Sequence, residues 1–76
     1  VKELVEMLTK KLVLHPEDVS VRVIEGEDRQ SMELSVNPED MGRVIGRSGR
    51  TINALRTLVS AAATKADVYV TLDVIE

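Results

Sequence analysis

The chain has no cysteine, tryptophan or phenylalanine, and only one tyrosine, one histidine and two prolines among its 76 residues. Without cysteine there are neither disulfide staples nor thiolate metal sites, and a reducing compartment such as the cytoplasm is expected. Tyr69 is the only aromatic residue, which excludes surfaces that stack successive bases on several rings. His15 is the only histidine. It has no partner at metal-ligand spacing, sits beside Pro16 and reads as a turn residue, so no metal site is expected. With no Ser-His-Asp set, no clustered ligands and little room for a deep pocket, an enzyme, a cofactor and a small-molecule substrate are not expected. No run approaches the roughly 18 apolar residues of a membrane span, and no basic-then-apolar leader opens the chain. A soluble, cytoplasmic protein without a membrane partner is the expectation.

Periodic apolar residues are plentiful. Leu4, Val5, Leu8 and Leu12 fall at helical spacing between Val1 and Val13, predicting an amphipathic helix that stops before His15-Pro16. Val19, Val21 and Val23 alternate with polar or outward positions, as do Met32, Leu34 and Val36. These predict two one-sided strands joined by the polar hairpin Gly26-Glu27-Asp28-Arg29. Asn37-Pro38-Glu39-Asp40 reads as a helix start: Asn caps, Pro suits the first position, and acids favour the positive end of the dipole. That short helix ends near Gly46. A longer one spans about Arg50 to Thr64 with Ile52, Leu55, Val59 and Ala62 on its apolar stripe. Val68, Val70, Leu72 and Val74 form a third strand, on which Tyr69 is expected to be structural. Met7, Met32 and Met41 read as core filler.

The order is thus helix, strand, strand, helix, helix, strand (αββααβ). Three one-sided strands need helices over one face, so an α+β two-layer sandwich is expected, with three helices on a three-stranded sheet. No linker, repeat or low-complexity tract interrupts residues 1–76, which read as one domain. A chain this short hides only about 60% of its unfolded surface, and oligomerisation is one way to supplement so thin a core.

The net charge is −3, which by itself disfavours a polyanionic partner. The distribution reverses this. Between Met41 and Ala66 lie Arg43, Arg47, Arg50, Arg56 and Lys65, five of the ten basic residues, and none of the thirteen acids. A solvated helix face can be of one sign without function, so the motif inside the segment matters more. Gly46-Arg47-Ser48-Gly49 joins the two predicted helices. A GxxG spacing arises by chance in roughly one third of chains this long, but here it carries a basic residue, follows apolar Val44-Ile45 and precedes Arg50. Glycine at both ends permits positive φ and lets a phosphate chain approach without meeting a Cβ. The next helix adds N–H groups and positive dipole character. A Walker A loop needs Gly at position 44 and Lys at position 50, and a dinucleotide fingerprint also needs Gly at 44; Val44 and Arg50 exclude both.

The run from Asp40 through Gly46-Arg47-Ser48-Gly49 to Arg56 resembles the core of a KH domain, and two strands before the turn with one after it resemble the type II arrangement. Lys2-Glu3-Leu4-Val5, Pro38-Glu39-Asp40-Met41-Gly42 and Arg56-Thr57-Leu58-Val59 extend the similarity end to end, to the small bacterial single-KH proteins of the KhpA type. This resemblance implies a non-catalytic protein that binds single-stranded RNA, as a post-transcriptional regulator or RNA chaperone. It also implies a homodimer and a heterodimer with a larger Jag-type KH protein. KH domains hold about four nucleotides. Carried onto this chain, Gly46, Arg47, Ser48 and Gly49 clamp the sugar-phosphate backbone, Val44 and Ile45 wall the base groove, and Arg43, Arg50 and Asn53 contact phosphate or base. Nothing in the sequence distinguishes RNA from single-stranded DNA. The rival reading is a KH-fold dimerisation module whose RNA binding is weak or lost, with Ala61-Ala62-Ala63 allowing close helix packing.

Overall fold

The computed structural model describes residues 1–75. It contains α1 (Lys2–Leu12), β1 (Ser20–Glu25), β2 (Gln30–Ser35), α2 (Met41–Ile45), α3 (Arg50–Lys65) and β3 (Val70–Ile75), with short 3-10 turns at Pro16–Asp18, Pro38–Asp40 and Arg47–Gly49. The expected αββααβ order and two-layer α+β architecture are present, and they match a type II KH-like fold.

Strand β2 lies at the centre of the sheet, in the order β1-β2-β3. It pairs antiparallel with β1, placing Val21 opposite Leu34 and Val23 opposite Met32. With β3 it is parallel, with Met32 beside Leu72 and Leu34 beside Val74. The period of two turns these apolar rows toward the helices. The alternate rows face away from them: Arg22 lies opposite Glu33, and Glu33 beside Asp73. The hairpin closes tightly, Gly26 N donating to the Arg29 carbonyl at 2.8 Å. Parallel pairing of β2 and β3 demands a crossover. That crossover is α2, the glycine turn and α3, so the turn is held between α2, which packs against α1 and α3, and α3, which packs against β3.

Buried Val5 from α1, Val44 from α2, and Ile52, Leu55, Val59 and Ala63 from α3 meet Val21, Met32, Leu34, Val70 and Leu72 of the sheet in one cluster. Each fully buried Val, Leu or Met contributes about 1.5–3 kcal/mol. Several sequence-based positions shift. Ala63, not Ala62, completes the α3 stripe, because the inward face of a 3.6-residue helix moves on after Val59. On α1, Thr9 is buried and its hydroxyl lacks a hydrogen-bond partner among the described residues, whereas Leu12 is exposed near the helix end. Met7 is half exposed and is not core filler, while Met32 is.

The segment before α2 differs most from expectation. Asn37 caps as predicted, its side chain accepting from Glu39 N at 2.9 Å, but it caps a 3-10 turn rather than α2 itself. Asp40 makes no cap. Its carboxylate is wholly buried and accepts from Leu14 N and His15 N, both at 3.0 Å. These bonds span 26 and 25 residues and fasten the loop after α1 to the start of α2. Two backbone donors of an irregular segment thus find an acceptor, and the buried carboxylate finds the donors it requires.

Candidate nucleic-acid interface

The turn is built by three positive-φ residues within four positions. Gly46 has φ 76° and ψ 174°, Ser48 has φ 56° and ψ 28°, and Gly49 has φ 77° and ψ 13°. Gly46 occupies a region of backbone space that is essentially closed to other residues. A Cβ there would also lie 2.8 Å from Thr51 Cβ and 2.9 Å from Thr51 N. Gly49 is left-handed, but a Cβ would meet only ordinary contacts, the nearest being Asn53 Nδ2 at 3.6 Å. The first glycine is therefore fixed by both space and torsion, the second by torsion alone. Gly46 N donates to the Gly42 carbonyl at 2.9 Å, closing α2, and Gly49 N donates to the Gly46 carbonyl at 3.2 Å.

Arg47 and Ser48, between the glycines, are both exposed. Gly49, the residue that opens this 16-residue helix, has no side chain to cap it, so the positive end of α3 lies at the turn. Arg43 and Arg50 are exposed on either side. Among the described residues, Arg43, Arg47 and Arg50 have no carboxylate within ion-pair distance, whereas Arg22 pairs with Glu33 at 3.8 Å and Arg56 with Asp73 at 3.7 Å. Cationic side chains without internal partners, beside an open helix start and a backbone surface free of Cβ at its ends, favour an extended polyanion.

Most of the predicted site residues thus gather around one turn. Ile45 is 37% exposed and can form a groove wall. Asn53 lies one helical turn into α3, exposed, with its Oδ1 accepting from Arg56 Nη1. Val44 is the correction. It is fully buried in the core, since successive residues of a helix point about 100° apart and α2 can turn only one of Val44 and Ile45 outward. Val44 supports the wall from behind and offers no contact surface.

Arg56 joins this face of the molecule only through the fold. It lies seven residues after Gly49, and its Nε donates to the Leu72 carbonyl at 3.0 Å. The available signal was helical phase: Asn53 and Arg56 are three apart and share the side of α3 adjoining the turn.

Two other features are set aside on chemical grounds. Near Pro16, His15, Glu17 and Asp18 bring ligand atoms within 4.8 Å of one another, a grouping that linear spacing did not reveal. These groups already have protein partners: the His15 ring is 3.6 Å from Glu17 and 3.7 Å from Glu39, and Asp18 accepts from Asn37 at 2.9 Å. A wide depression of about 650 Å³ lies at the hairpin end, lined by Glu25, Glu27, Asp28 and Asp67 among others. Its charge repels phosphate. Tyr69 lies just before β3, not on it, and is 63% exposed beside that depression. Its structural contribution is through the backbone, the Tyr69 carbonyl accepting from Gln30 N at 2.8 Å. No helix among the described residues is long and apolar enough to cross a membrane.

A family model described as the KH domain of KhpA and KhpB matches residues 2–74. The chain is similar to the RNA-binding protein KhpA of Halalkalibacterium halodurans, 54% identical over 77 residues and covering 99% of each chain. It is also similar to that of Clostridium perfringens, 51% identical over 74 residues and covering 97% of this chain and 99% of that protein. With the RNA-binding protein KhpA of Borreliella burgdorferi the identity is 42% over 74 residues, covering 97% and 90%.

Proposed function

Because the chain belongs to the KhpA/KhpB KH-domain family, a family of binders rather than catalysts, we propose that it binds single-stranded RNA through the turn Gly46-Arg47-Ser48-Gly49. The backbone of the turn and the open start of α3 hold the sugar-phosphate chain, Arg43, Arg47 and Arg50 supply charge, and the bases lie beside Ile45 and Asn53. The observation that carries this reading is the pairing of a Cβ-free, positive-φ turn with three arginines that have no carboxylate partner among the described residues. A cytoplasmic post-transcriptional regulator or RNA chaperone is the corresponding cellular role.

The experiment is Arg47→Asp with Ser48→Asp, titrated against a short single-stranded RNA. Both side chains project from an exposed turn, so circular dichroism stays unchanged while affinity falls at least a hundredfold. An unchanged affinity in the folded double variant would falsify the clamp. For the unaltered chain, binding weakens with salt by about 0.7 log units per log unit for each phosphate neutralised.

A second reading, self-association through α3, is favoured by one observation. Leu58 is 49% exposed, and exposed Ala54 and Ala61 lie four before and three after it, giving an outward apolar stripe with small flanks. We assign to this stripe the homodimer, and the same face to pairing with a larger Jag-type KH protein. Sedimentation equilibrium at high micromolar concentration tests it; a monomer there rejects the homodimer. Arg50 begins the same i, i+4 stripe as Ala54 and Leu58, so RNA binding takes the turn end of that face and self-association the part further along α3.

A further inference from the structure

Serine and threonine together occur ten times in the chain, and nine of these residues lie on an α-helix or a strand. Ser48 is the exception. It stands exposed in the turn with φ 56°. A left-handed backbone is strained for a residue with a Cβ, so glycine would sit there with less strain, as it does at Gly46 and Gly49. Strain held at such a residue points to a use for its side chain. The other hydroxyls are less available: Thr9 is buried, and Thr57 donates to the Asn53 carbonyl at 3.0 Å. A modifying enzyme must seat the acceptor and its neighbours in a cleft, which a protruding turn allows and a helix or strand packed on a core does not.

Cations flank this hydroxyl in the chain. Arg47 precedes Ser48, Arg50 follows it by two residues, and Arg43 lies on the helix leading into the turn. All three are exposed, and none has a carboxylate within ion-pair distance among the described residues. Resting on the reading that the turn clamps RNA, we propose that Ser48 is a phosphorylation site whose phosphoryl group switches the clamp off. The donor is a nucleoside triphosphate brought by a protein kinase. Ser48 Oγ attacks the γ-phosphorus, its proton passes to a base of the kinase, and the bond to the β-phosphate breaks, releasing the nucleoside diphosphate. No oxidation state changes. Phosphoserine carries about −1.5 to −2 charges and three strong acceptor oxygens, so the +3 of Arg43, Arg47 and Arg50 falls to about +1. Its oxygens take the charge-assisted bonds that an RNA phosphate would otherwise take from the arginines. Being tethered, it meets them at an effective concentration of about millimolar, which a strand in solution does not match. The same capture relieves the repulsion among the arginines and stiffens the turn, so the modified chain is more stable as well as unable to bind.

The test uses the full chain with phosphoserine placed at position 48 during translation. In fluorescence anisotropy with a short single-stranded RNA, affinity falls about fiftyfold, and phosphatase restores it to within about twofold of the unmodified chain. The thermal midpoint rises by about 4 °C. This rise disappears when Arg47→Gln and Arg50→Gln accompany the phosphoserine. Protein isolated from the cells that make it, cut before aspartate, yields a fragment from Asp40 to Ala66, and tandem mass spectrometry places a phosphoryl group in it on Ser48. An affinity unmoved by phosphoserine, in a chain whose binding is lost in Arg47→Asp with Ser48→Asp, overturns the switch and leaves the clamp standing. Undiminished binding by that turn variant removes the clamp itself, while the midpoint and the cellular fragment still decide whether Ser48 is modified and its phosphate captured. A midpoint that does not rise overturns the capture, and a fragment unmodified in both growing and starved cells overturns the site.

Discussion

At the end of the sheet where β2 and β3 finish, the chain presents Arg43, Arg47 and Arg50 around a turn of glycines. At the opposite end, the β1–β2 hairpin and the segment before β3 present Glu25, Glu27, Asp28 and Asp67. The length of α3, about 24 Å for 16 residues, separates the two. That distance exceeds the roughly 8 Å screening length at physiological ionic strength, so the two ends act as independent electrostatic surfaces. A net charge of −3 therefore says little about what the turn attracts. The ends also differ in backbone. The hairpin is held by short-range ladder bonds, whereas the turn end depends on a torsion open only to glycine and on a carboxylate reaching back to the loop after α1.

If the turn end is as constrained as this comparison holds, Gly46→Ala is the most damaging of three further changes. Positive φ near extended ψ and the clash with Thr51 together are expected to cost about 3 kcal/mol, a large share of the stability of a domain this size. Urea denaturation measures it. Gly49→Ala serves as the internal control, with a cost of about 1–2 kcal/mol, and equal costs at the two glycines would contradict the distinction between space and torsion.

Asp40→Asn should follow, destabilising by about 2 kcal/mol, because one of the two backbone N–H groups from Leu14 and His15 then faces an amide donor in a buried site. Its RNA affinity, measured under fully folded conditions, falls with stability only in so far as α2 loosens. No loss of stability would show that the long-range tie is dispensable. The smallest effect belongs to the hairpin end: Glu27→Gln with Asp28→Asn changes stability by under about 0.5 kcal/mol. RNA affinity rises at most threefold at low salt, an increase that disappears at 0.15 M. A larger, salt-resistant gain would mean that the two ends are coupled after all.

Where side-chain period decides position, the sequence could be read directly. Val21, Val23, Met32, Leu34, Val70 and Leu72 alternate inward as expected, and Ile52, Leu55 and Val59 keep to one helix face. The turn from Gly46 to Gly49 was equally legible, since two glycines bracketing exposed Arg47 and Ser48 encode their conformation locally. Legibility fails where partners are distant in the chain. Asp40 looked like a dipole-complementing acid because acids commonly open helices, but its acceptor capacity is used 25 and 26 residues away. Val44 and Ile45 are adjacent apolar residues, and only packing into the core decides which is hidden. Arg56 acquires its place from Leu72 and Asp73, brought beside it by the return of the chain into β3.

The sequence by itself determined the order of elements, the inward and outward rows of each strand, and the torsional character of the turn, because these depend on residues within one helical turn or one strand of each other. Tertiary structure alone decided that the turn sits in the crossover between two parallel strands, that Asp40 is a buried tie, and that Arg56 lies across a groove at a free sheet edge. Each of these depends on which surfaces meet when the apolar rows close on one another, a choice settled by collective burial and not by any local run of residues.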